Sequence, residues 1–405
     1  TTASVLGLAG IASAQPVPRA LLTTQAGNPL TIIPGTAGVP VSSFTQAQIG
    51  LSPSGTYWTI AVNASGQPTT SDTFHLAGTA AAVQRVVPEG VTLPGVGFGI
   101  TGRPNNQVSV NDSGVMAFKV TTNAPAASNE MVLRFNLDGT YDVIAREGFA
   151  IPTVPGESYG GFLDSTTILN DGRVAWRAQS TSGSLPSDRD DFLFLSGSPQ
   201  TTIVQAGFNT PTNQGGGATA LLTGINDEAY INSDATRYLV DATVGTTRAI
   251  VVDNDIKIQT GKPITGLGTE LPLSIPTDEA RMFPGGDWAA WGTGDAGTAF
   301  AIVNDALYIK EGDPIPGGMP GETLSTIGEV TMNANGDLAY AARTSISRSV
   351  IVVDTVSGDP FLAVSTFNST FNIPMGTQVD YTGDNVLDDA YFSFLNDDTI
   401  GLSAA

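Results

Sequence analysis

The sequence contains few side chains that could form a catalytic centre. It has one histidine, His75, and no cysteine. A Ser-His-Asp triad would have to use His75. A zinc or iron site made of histidine and cysteine is excluded, since one histidine cannot supply those ligand sets. Because His75 alternates with apolar residues in the segment 73–76, the pattern indicates a strand and favours a structural or surface histidine over a catalytic one.

Paired carboxylates could carry out glycoside hydrolysis. The acidic candidates all lie at predicted turns or strand ends: Asp188, Asp190, Asp191, Asp253, Asp255 and Glu311. Aspartate is favoured at such positions because its side chain bonds the nearby backbone, without any catalytic role. A structural role is therefore the better interpretation, and we expect the protein not to be an enzyme.

One acidic segment, residues 380–389, has the ligand spacing of a calcium loop. It resembles the loops of dockerin-like and EF-hand segments, with oxygen atoms at positions 1, 3, 5 and 9. The residues that would bind Ca²⁺ are Asp380, Thr382, Asp384 and Asp388. The segment departs from the pattern at Asn385, where a turn glycine belongs, and at Tyr391, where a bidentate carboxylate belongs. A Ca²⁺ site and a merely acidic surface loop are the two interpretations.

The composition limits the partners of the chain. Its 405 residues include 17 basic and 38 acidic side chains, which give a formal net charge of −21. A surface of this charge repels phosphate backbones and anionic lipids, so nucleic-acid binding is not expected. No apolar run is long enough to span a membrane. The low fraction of charged residues, 14%, together with 47 glycines, is typical of an all-β protein with many turns.

The elements that would position these side chains are short hairpins. The segment 108–118 reads Val-Ser-Val-Asn-Asp-Ser-Gly-Val-Met-Ala-Phe, two alternating apolar runs around a polar corner. Glycine supplies a positive φ angle in such a turn, and asparagine and aspartate bond the backbone there. Similar corners recur near Gly55, Gly114, Gly172, Glu228, Gly286, Gly336 and Asp398. Packing between sheets, rather than sugar binding, is predicted for the tryptophans of the second strands: Trp58, Trp176, Trp288 and Trp291.

The seven corners are 50 to 62 residues apart. A period of this size, with strands only, is typical of β-propeller blades of four antiparallel strands. A second phrase follows most corners: an apolar run that ends in glycine, with proline a few residues later, as at Gly148 and Pro152 or at Gly312 and Pro314. The sequence therefore predicts an all-β protein, a seven-bladed β-propeller.

The termini are expected to complete the predicted ring. The last hairpin, residues 391–405, has no third or fourth strand after it, while residues 21–29 repeat the glycine–proline phrase without a hairpin before it. We expect the N- and C-terminal strands to close the seventh blade together, which would leave no open edge. Residues 1–14 would be the third strand of that blade or, alternatively, the remnant of a secretory signal.

The predicted blades divide a single propeller domain, residues 1–405. Their approximate bounds are 44–95, 104–155, 162–213, 217–266, 276–318, 325–368, and 388–405 together with 1–30. Residues 369–387 would be an insertion loop before the last hairpin.

The repeated phrase Asn-Asp-x-Gly-x-Val-Ala-Phe, with Glu-Gly-Asp-x-Ile-Pro-Gly further on, resembles the repeats of secreted bacterial β-propeller proteins. The resemblance is best at 106–160, 164–213 and 298–342 and is weaker in blades four and five. Many proteins of this kind carry a PEP-CTERM-type sorting tail. The resemblance implies a propeller fold and a location outside a bacterial cell or on its surface. It implies no defined reaction and no catalytic residues.

Three hypotheses for the function follow. The first is a secreted, non-catalytic propeller that serves as an extracellular structural or protein-interaction module through its loops. In a variant of this hypothesis, the terminal strands pair with a neighbouring molecule and the protein self-assembles by strand exchange. The alternatives are a Ca²⁺-assisted propeller that binds glycans or other ligands and, less favoured, a propeller glycoside hydrolase. The expected partners are thus proteins or further copies of the chain, with glycan as the alternative.

Overall fold

Strands make up the regular structure of this protein, as its β-branched and glycine-rich composition predicts. The structure is a computed structural model that describes residues 32–403 except 80–82, 102–107, 137, 182–183, 215–218, 273–279, 357, 366–369, 373–377, 381–390 and 395–399. Within these ranges the one helical segment is a 3₁₀ turn, Ala126–Ser128. No helix there is long and apolar enough to cross a membrane.

Six four-stranded antiparallel sheets follow one another along the chain, and each is one blade of a β-propeller. The strands of the first three blades are β1 (Val41–Leu51), β2 (Tyr57–Ala64), β3 (Thr73–Thr79), β4 (Val83–Pro88), β5 (Ser109–Val110), β6 (Met116–Thr121), β7 (Glu130–Phe135), β8 (Tyr141–Arg146), β9 (Tyr159–Ile168), β10 (Val174–Ser180), β11 (Asp191–Leu195) and β12 (Thr201–Gln205). Those of the last three are β13 (Leu222–Ile231), β14 (Tyr238–Val244), β15 (Thr247–Val252), β16 (Asp255–Gln259), β17 (Ala280–Met282), β18 (Trp288–Thr293), β19 (Ala299–Val303), β20 (Ala306–Lys310), β21 (Leu324–Met332), β22 (Leu338–Thr344), β23 (Ser349–Asp354) and β24 (Phe361–Ser365).

The first strands of neighbouring blades contact one another and therefore surround the axis of the ring. β1 contacts β5, β5 contacts β9, β9 contacts β13, and β13 contacts β17. Paired strands run in opposite directions. The turns between first and second strands, and between third and fourth strands, therefore lie on one face, which we call the corner face. The opposite face, which we call the crossing face, holds the turns between second and third strands. It also holds the beginnings of the crossing loops, which connect each blade to the next.

Glycines with positive φ shape the corners between first and second strands. The φ angle is between 72° and 92° in five of them, at Gly55, Gly114, Gly172, Gly286 and Gly336. In each corner the amide at this position donates to the carbonyl three residues earlier, as Gly172 does to Leu169 at 3.0 Å. Glycine adopts this backbone conformation without strain, so the glycine positions mark these turns in the sequence.

The fourth corner lies elsewhere than the sequence predicts. Glu228, its predicted centre, is inside β13, which continues to Ile231. The turn follows at 232–237, where Ala235 has a φ of 61°. The turn has alanine where the other corners have glycine, so the glycine signal is absent from this blade. Alanine rarely adopts a positive φ, which is why the sequence does not predict a turn here.

The prediction of seven blades, with the seventh closed by N- and C-terminal strands, is wrong. The described residues form six four-stranded blades. The C-terminal strands β27 (Tyr391–Phe394) and β28 (Ile400–Ser403) remain a two-stranded sheet, which contacts β1 and β21. A second such sheet consists of β25 (Thr370–Asn372) and β26 (Gln378–Asp380). The predicted N-terminal strand, residues 1–14, lies outside the described residues.

The corner motif itself explains the miscount. A corner marks the first two strands of a blade and carries no information about the third and fourth. The last corner therefore predicts a hairpin, which the structure has, and not a whole blade. The strand-exchange hypothesis depended on the split seventh blade and loses its basis with it.

The apolar core lies between the blades. One cluster joins Trp291 of the fifth blade to Tyr340 and Val350 of the sixth, and another joins Val132 of the second to Phe192 of the third. Both faces of most sheets are covered in this way, so the second and third strands are apolar almost throughout, and all residues of β11 are buried. A core of this kind makes each blade dependent on its neighbours.

Candidate functional site

His75 lies in the core and is almost completely buried. It is 2% exposed, and its ring stacks on Phe118 with 5.1 Å between the ring centroids. Burial lowers the pKa of His75 to about 3, and neither ring nitrogen has a hydrogen-bond partner among the residues described. A base in this setting cannot reach a substrate. Of the two predicted roles, structural and surface, the structural one is confirmed.

The six candidate carboxylates are not brought together. The crossing face holds Asp188, Asp190 and Asp191 of the third blade and Glu311 of the fifth. Asp253, between β15 and β16, and Asp255, the first residue of β16, lie at the opposite end of the fourth blade. Asp253 accepts a hydrogen bond from Arg237 at 2.6 Å, and Asp255 accepts one from the Thr212 hydroxyl at 2.6 Å. Asp191 accepts the Ile225 amide of the fourth blade at 3.2 Å, so three of the candidates have structural partners. No pair of carboxylates spans the two faces.

The predicted calcium site mostly lies outside the described residues. Asp380 is the last residue of β26, while Thr382, Asp384 and Asp388 fall in the range 381–390, which the structure does not describe. In the ranges that it does describe, no group of three or more histidine and acidic side chains is placed to hold a metal ion. The Ca²⁺ site at these four residues stays a prediction.

The tryptophans do not form a sugar-binding platform. Trp58, Trp176, Trp288 and Trp291 are between 0% and 9% exposed. Trp176 packs against Phe194 and Tyr159, with 5.5 and 6.4 Å between ring centroids. The prediction that these side chains pack between sheets is confirmed.

The repeated Asn-Asp corners bind one another across blades. Asp112 of the second blade accepts the Ser54 amide of the first blade at 2.7 Å. Its own amide donates to the Asn170 side chain of the third blade at 3.0 Å, and the Asn170 amide group returns a bond to Asp112 at 2.6 Å. Burial would raise the pKa of Asp112, but the hydrogen bonds from Ser54 and Asn170 outweigh it and lower the pKa. These polar corners therefore connect blades, which accounts for them without catalysis.

Charged side chains of the second strands also reach the next blade. Lys119 of β6 donates to the Phe162 carbonyl of the third blade at 2.8 Å and lies 3.2 Å from Glu130. Glu130 in turn accepts the Phe162 amide at 2.8 Å. Arg177 holds the position of Lys119 in the third blade and donates to the Ile225 carbonyl of the fourth. Buried polar bonds of this kind fix the relative position of the blades.

A partly buried polar cluster joins the first strands of blades four to six. Arg281 of β17 lies 2.8 Å from Glu329 of β21, and the hydroxyl of Tyr230 in β13 hydrogen-bonds both Arg281 and Glu228. Burial, and then the charge of Glu228, raises the pKa of Tyr230 well above its usual value, so its hydroxyl stays protonated. The carboxylates of Glu329 and Glu228 balance the positive charge of the Arg281 guanidinium. The cluster is therefore a bridge between strands.

Exposed apolar side chains are concentrated at the crossing face. Among the described residues, the large apolar side chains that are most exposed are Ile32, Val91, Val143, Phe149, Phe208, Met319, Ile346 and Val356. Five of these eight belong to segments that connect strands at the crossing face: Val91, Phe149, Phe208 and Met319 in crossing loops, and Ile346 between β22 and β23. Only Val356 belongs to a corner-face turn.

Val91, Phe149 and Phe208 occupy the same position in three consecutive crossing loops. Each directly follows the glycine at the end of a fourth strand, and these glycines have φ angles of 75° to 83°. The three side chains are 39%, 55% and 62% exposed. We call them the apolar arc. The equivalent residues after Gly261 and Gly312 are Lys262 and Asp313, so the arc is confined to the first three blades.

Sequence reasoning found the glycine–proline phrase but missed the arc within it. The signal was the residue after each glycine, which is apolar in three successive copies and charged in two. The exposure of these side chains could not be derived, because an apolar residue after a tight turn usually packs back onto the sheet.

The solved structures that are similar to this chain have varied functions and include proteins described as propellers. They include hydrazine synthase of Kuenenia stuttgartiensis, with 11% identity, a TM-score of 0.38, and 79% of each chain covered. A gluconolactonase from Xanthomonas campestris has 11% identity, a TM-score of 0.32, and 91% of this chain and 88% of the other covered. PorZ, a surface component of the type-IX secretion system of Porphyromonas gingivalis, has 12% identity and a TM-score of 0.43, with 89% and 45% covered. Likenesses at this level transfer no activity.

No curated protein matches the sequence. The model of a family of unknown function, DUF7453, matches residues 39–248, just over half of the chain. The matched residues include the first three blades, with the polar corners and the apolar arc. The chain belongs to this family, DUF7453.

Proposed function

We propose that the protein is a non-catalytic interaction module that binds other proteins through its crossing face. The observation that carries the proposal is the concentration of exposed apolar side chains there, above all in the apolar arc. The Phe208 side chain is 62% exposed, so its apolar surface is in contact with water. Burial against a partner would remove this apolar surface from water, which is favourable.

The rest of the ring supports this role as a rigid frame. Lys119, Arg177 and Asp112 each bond a neighbouring blade, and the core itself lies between blades. A loop surface held by such a frame is pre-organised, so a partner loses little affinity to the ordering of the protein.

Catalysis has less support in the described residues. His75 is buried, and the acidic candidates are divided among three blades, with Asp253 and Asp255 on the face opposite to the others. The Ca²⁺-assisted glycan-binding alternative depends on residues 380–388, and no observation in the ranges described favours it. We also propose a location outside a bacterial cell, which the resemblance of the repeats supports and which fractionation of the source cells tests.

The test of binding uses a crossing-face variant and a matched corner-face control. Phe149→Ser/Phe208→Ser removes the most exposed part of the arc, and Val356→Ser removes the 74% exposed side chain of the corner face. Each protein is immobilised and exposed to extracellular proteins of the source organism, and the thermal midpoints are compared to check folding. We expect the double variant to lose bound proteins that the wild type and Val356→Ser retain. Equal retention by all three would contradict the proposal.

A further inference from the structure

The fourth strand of every blade carries a β-bulge at the same place. In each of the six blades the register with the third strand shifts, so that one residue of the fourth strand has no residue opposite to it. We call its place the bulge position. In blade order it is occupied by Gln84, Ile144, Ile203, Lys257, Tyr308 and Ala363. The same place in six different sequences indicates a common structural role.

The bulge directs two consecutive side chains towards the next blade. Along a regular strand, neighbouring side chains point to opposite faces, and a bulge interrupts this alternation. In the fifth blade, Leu307 packs into the cluster shared with the fourth blade, whereas Tyr308 and Ile309 both pack into the cluster shared with the sixth. The third blade repeats this arrangement, since Ile203 and Val204 both pack into the cluster shared with the fourth blade.

Two of the bulge positions form polar contacts with the following blade. The Nζ of Lys257 lies 2.9 Å from a carboxylate oxygen of Asp305 in the fifth blade, and the Tyr308 hydroxyl donates to Asp354 in the sixth. Burial would lower the pKa of Lys257, but the bonds to Asp305 and Asp255 outweigh it and raise the pKa. Burial, and then the bond to Asp354, raises the pKa of Tyr308. Both groups therefore keep the proton with which they bind the next blade.

The other bulge positions divide into two kinds. Ile144 packs into the apolar cluster shared with the third blade, as Ile203 does with the fourth. In the first blade, Gln84 is exposed, and in the sixth the residue is Ala363, whose side chain is a single methyl group. The second to fifth blades thus have a side chain at this position that contacts the blade after it.

We infer that the bulge position fastens the outermost strand of each of these four blades to the next blade, and that it controls how readily the next blade opens locally. The first strands already surround the axis, and Lys119 and Arg177 join the second strands to neighbouring blades. The fourth strand is the farthest from these bonds, so without a contact of its own it would be the first part of the blade to separate.

Hydrogen exchange of the full chain, followed by mass spectrometry of its peptides, locates such opening. Tyr308→Phe removes only the hydroxyl that binds Asp354. We expect the amides of β23 and β24 in the sixth blade to exchange about fivefold faster, and those of the first three blades to be unchanged. The matched control is Tyr141→Phe, since Tyr141 is also in a fourth strand but its hydroxyl donates to the Pro94 carbonyl of the preceding crossing loop. This control should not speed exchange in the third blade.

A double variant tests whether the effect belongs to the bond itself. Tyr308→Phe and Asp354→Ala each break the same contact, so Tyr308→Phe/Asp354→Ala should speed exchange in the sixth blade by less than the product of the two single effects. Fully multiplicative effects would show that the two side chains act separately, and would overturn the inference for this blade.

The lysine offers a second test with different chemistry. Lys257→Met keeps the length of the side chain and removes its charge, and we expect the amides of β19 and β20 in the fifth blade to exchange about threefold faster. Its control is Lys310→Met, which removes an exposed charge from a regular position of a fourth strand, opposite Phe300, and should leave exchange in the sixth blade unchanged.

Thermal midpoints confirm that every variant is folded. Unchanged exchange in the next blade, or equal acceleration around the whole ring, overturns the inference. The bulges would then serve only to keep the outer strands from pairing with strands of other molecules. Neither outcome depends on whether the crossing face binds proteins.

Discussion

Arg248 and Asp241 form an ion pair with the charges exchanged relative to Lys119 and Glu130. Asp241 and Lys119 occupy the same position of the second strand, and Arg248 and Glu130 the same position of the third strand. The Nε of Arg248 is 2.9 Å from both carboxylate oxygens of Asp241, whose side chain is 1% exposed. The second and fourth blades therefore share the place of the pair and not its sign, which indicates that a charge at this position requires an opposite charge beside it. The first, fifth and sixth blades have uncharged residues at the same position of the second strand: Ala61, Trp291 and Ala341.

Reversing the charges of this pair tests that requirement. Asp241→Lys alone should lower the free energy of unfolding by about 3 kcal/mol, because it leaves two cations in a buried place. Adding Arg248→Glu should recover more than half of the loss, since the pair then has the order of Lys119 and Glu130. Urea denaturation of the two single variants and the double variant measures the coupling. Additive losses would show that the two side chains act independently.

Replacing Ala235 by glycine is expected to stabilise the protein. Its φ of 61° is one that alanine adopts with strain, and the other five corners have glycine at this position. Ala235→Gly should raise the free energy of unfolding by about 0.5–1 kcal/mol, the relief of strain less the added entropy of the unfolded chain. The matched control Gly172→Ala, at a φ of 83°, should lower it by about 1 kcal/mol. A loss of stability in Ala235→Gly would contradict the assignment of this corner.

His75 should make stability depend on pH near neutrality. Burial lowers its pKa from 6.5 to about 3, so the unfolded chain binds a proton below pH 6.5 that the folded chain does not. The stability is fully present above pH 6.5 and is lost as the pH falls towards 3, by about 1.4 kcal/mol per pH unit. His75→Leu should flatten this dependence between pH 6.5 and 5. It should also relieve the cost of two ring nitrogens without hydrogen-bond partners among the described residues. An unchanged slope in His75→Leu would show that another group titrates.

The Glu322–Arg348 pair should control stability at lower pH. Burial would raise the pKa of Glu322, but hydrogen bonds from the Met319 amide, Thr344 and then Arg348 outweigh it and lower the pKa below 4.5. A depressed pKa means that the stability is present above pH 4.5 and is lost as the pH falls through the lower folded value. Both side chains are at most 2% exposed. Glu322→Gln should therefore cost about 3 kcal/mol at pH 7 and weaken the dependence below pH 4.5.

A circular dichroism melt at several pH values measures both effects of Glu322→Gln. The control is Asp171→Asn, which removes a carboxylate whose side chain is 50% exposed, and it should leave the curve almost unchanged. The same acid dependence in Glu322→Gln and in the wild type would contradict the role of the pair.

The sequence predicts the fold best where the backbone demands one residue type. Glycines with positive φ mark five corners and the ends of the fourth strands, so the blade repeat can be read from them. The corner at Ala235 has the same geometry but no glycine, so the sequence does not predict a turn there. It predicts the turn at the nearest polar cluster, around Glu228. The number of blades was overestimated for a related reason: a corner at Asp398 predicts two strands and not four.

The candidate site was less predictable because its determinants are not local. Lys119, Arg177 and Asp241 occupy one structural position, but their charges differ, so no repeated letter marks them. Lys119 and Arg177 bond carbonyls of the next blade, 43 and 48 residues further along the chain, while Asp241 bonds Asn226 and Arg248 of its own blade. Phe149 and Phe208 follow glycine in the same phrase, and only the fold shows that the crossing loop leaves both rings exposed.

A photo-crosslinker placed on each face would test the interaction surface. The chain has no cysteine, so Ala150→Cys next to Phe149 and Asp359→Cys at the corner face each create one site for a benzophenone maleimide. The two labelled proteins are irradiated with extracellular proteins of the source organism, and the crosslinked products are identified by mass spectrometry. We expect partner proteins joined to position 150 and few or none joined to position 359. The same products at both positions, or products at position 359 alone, would contradict recognition through the crossing face.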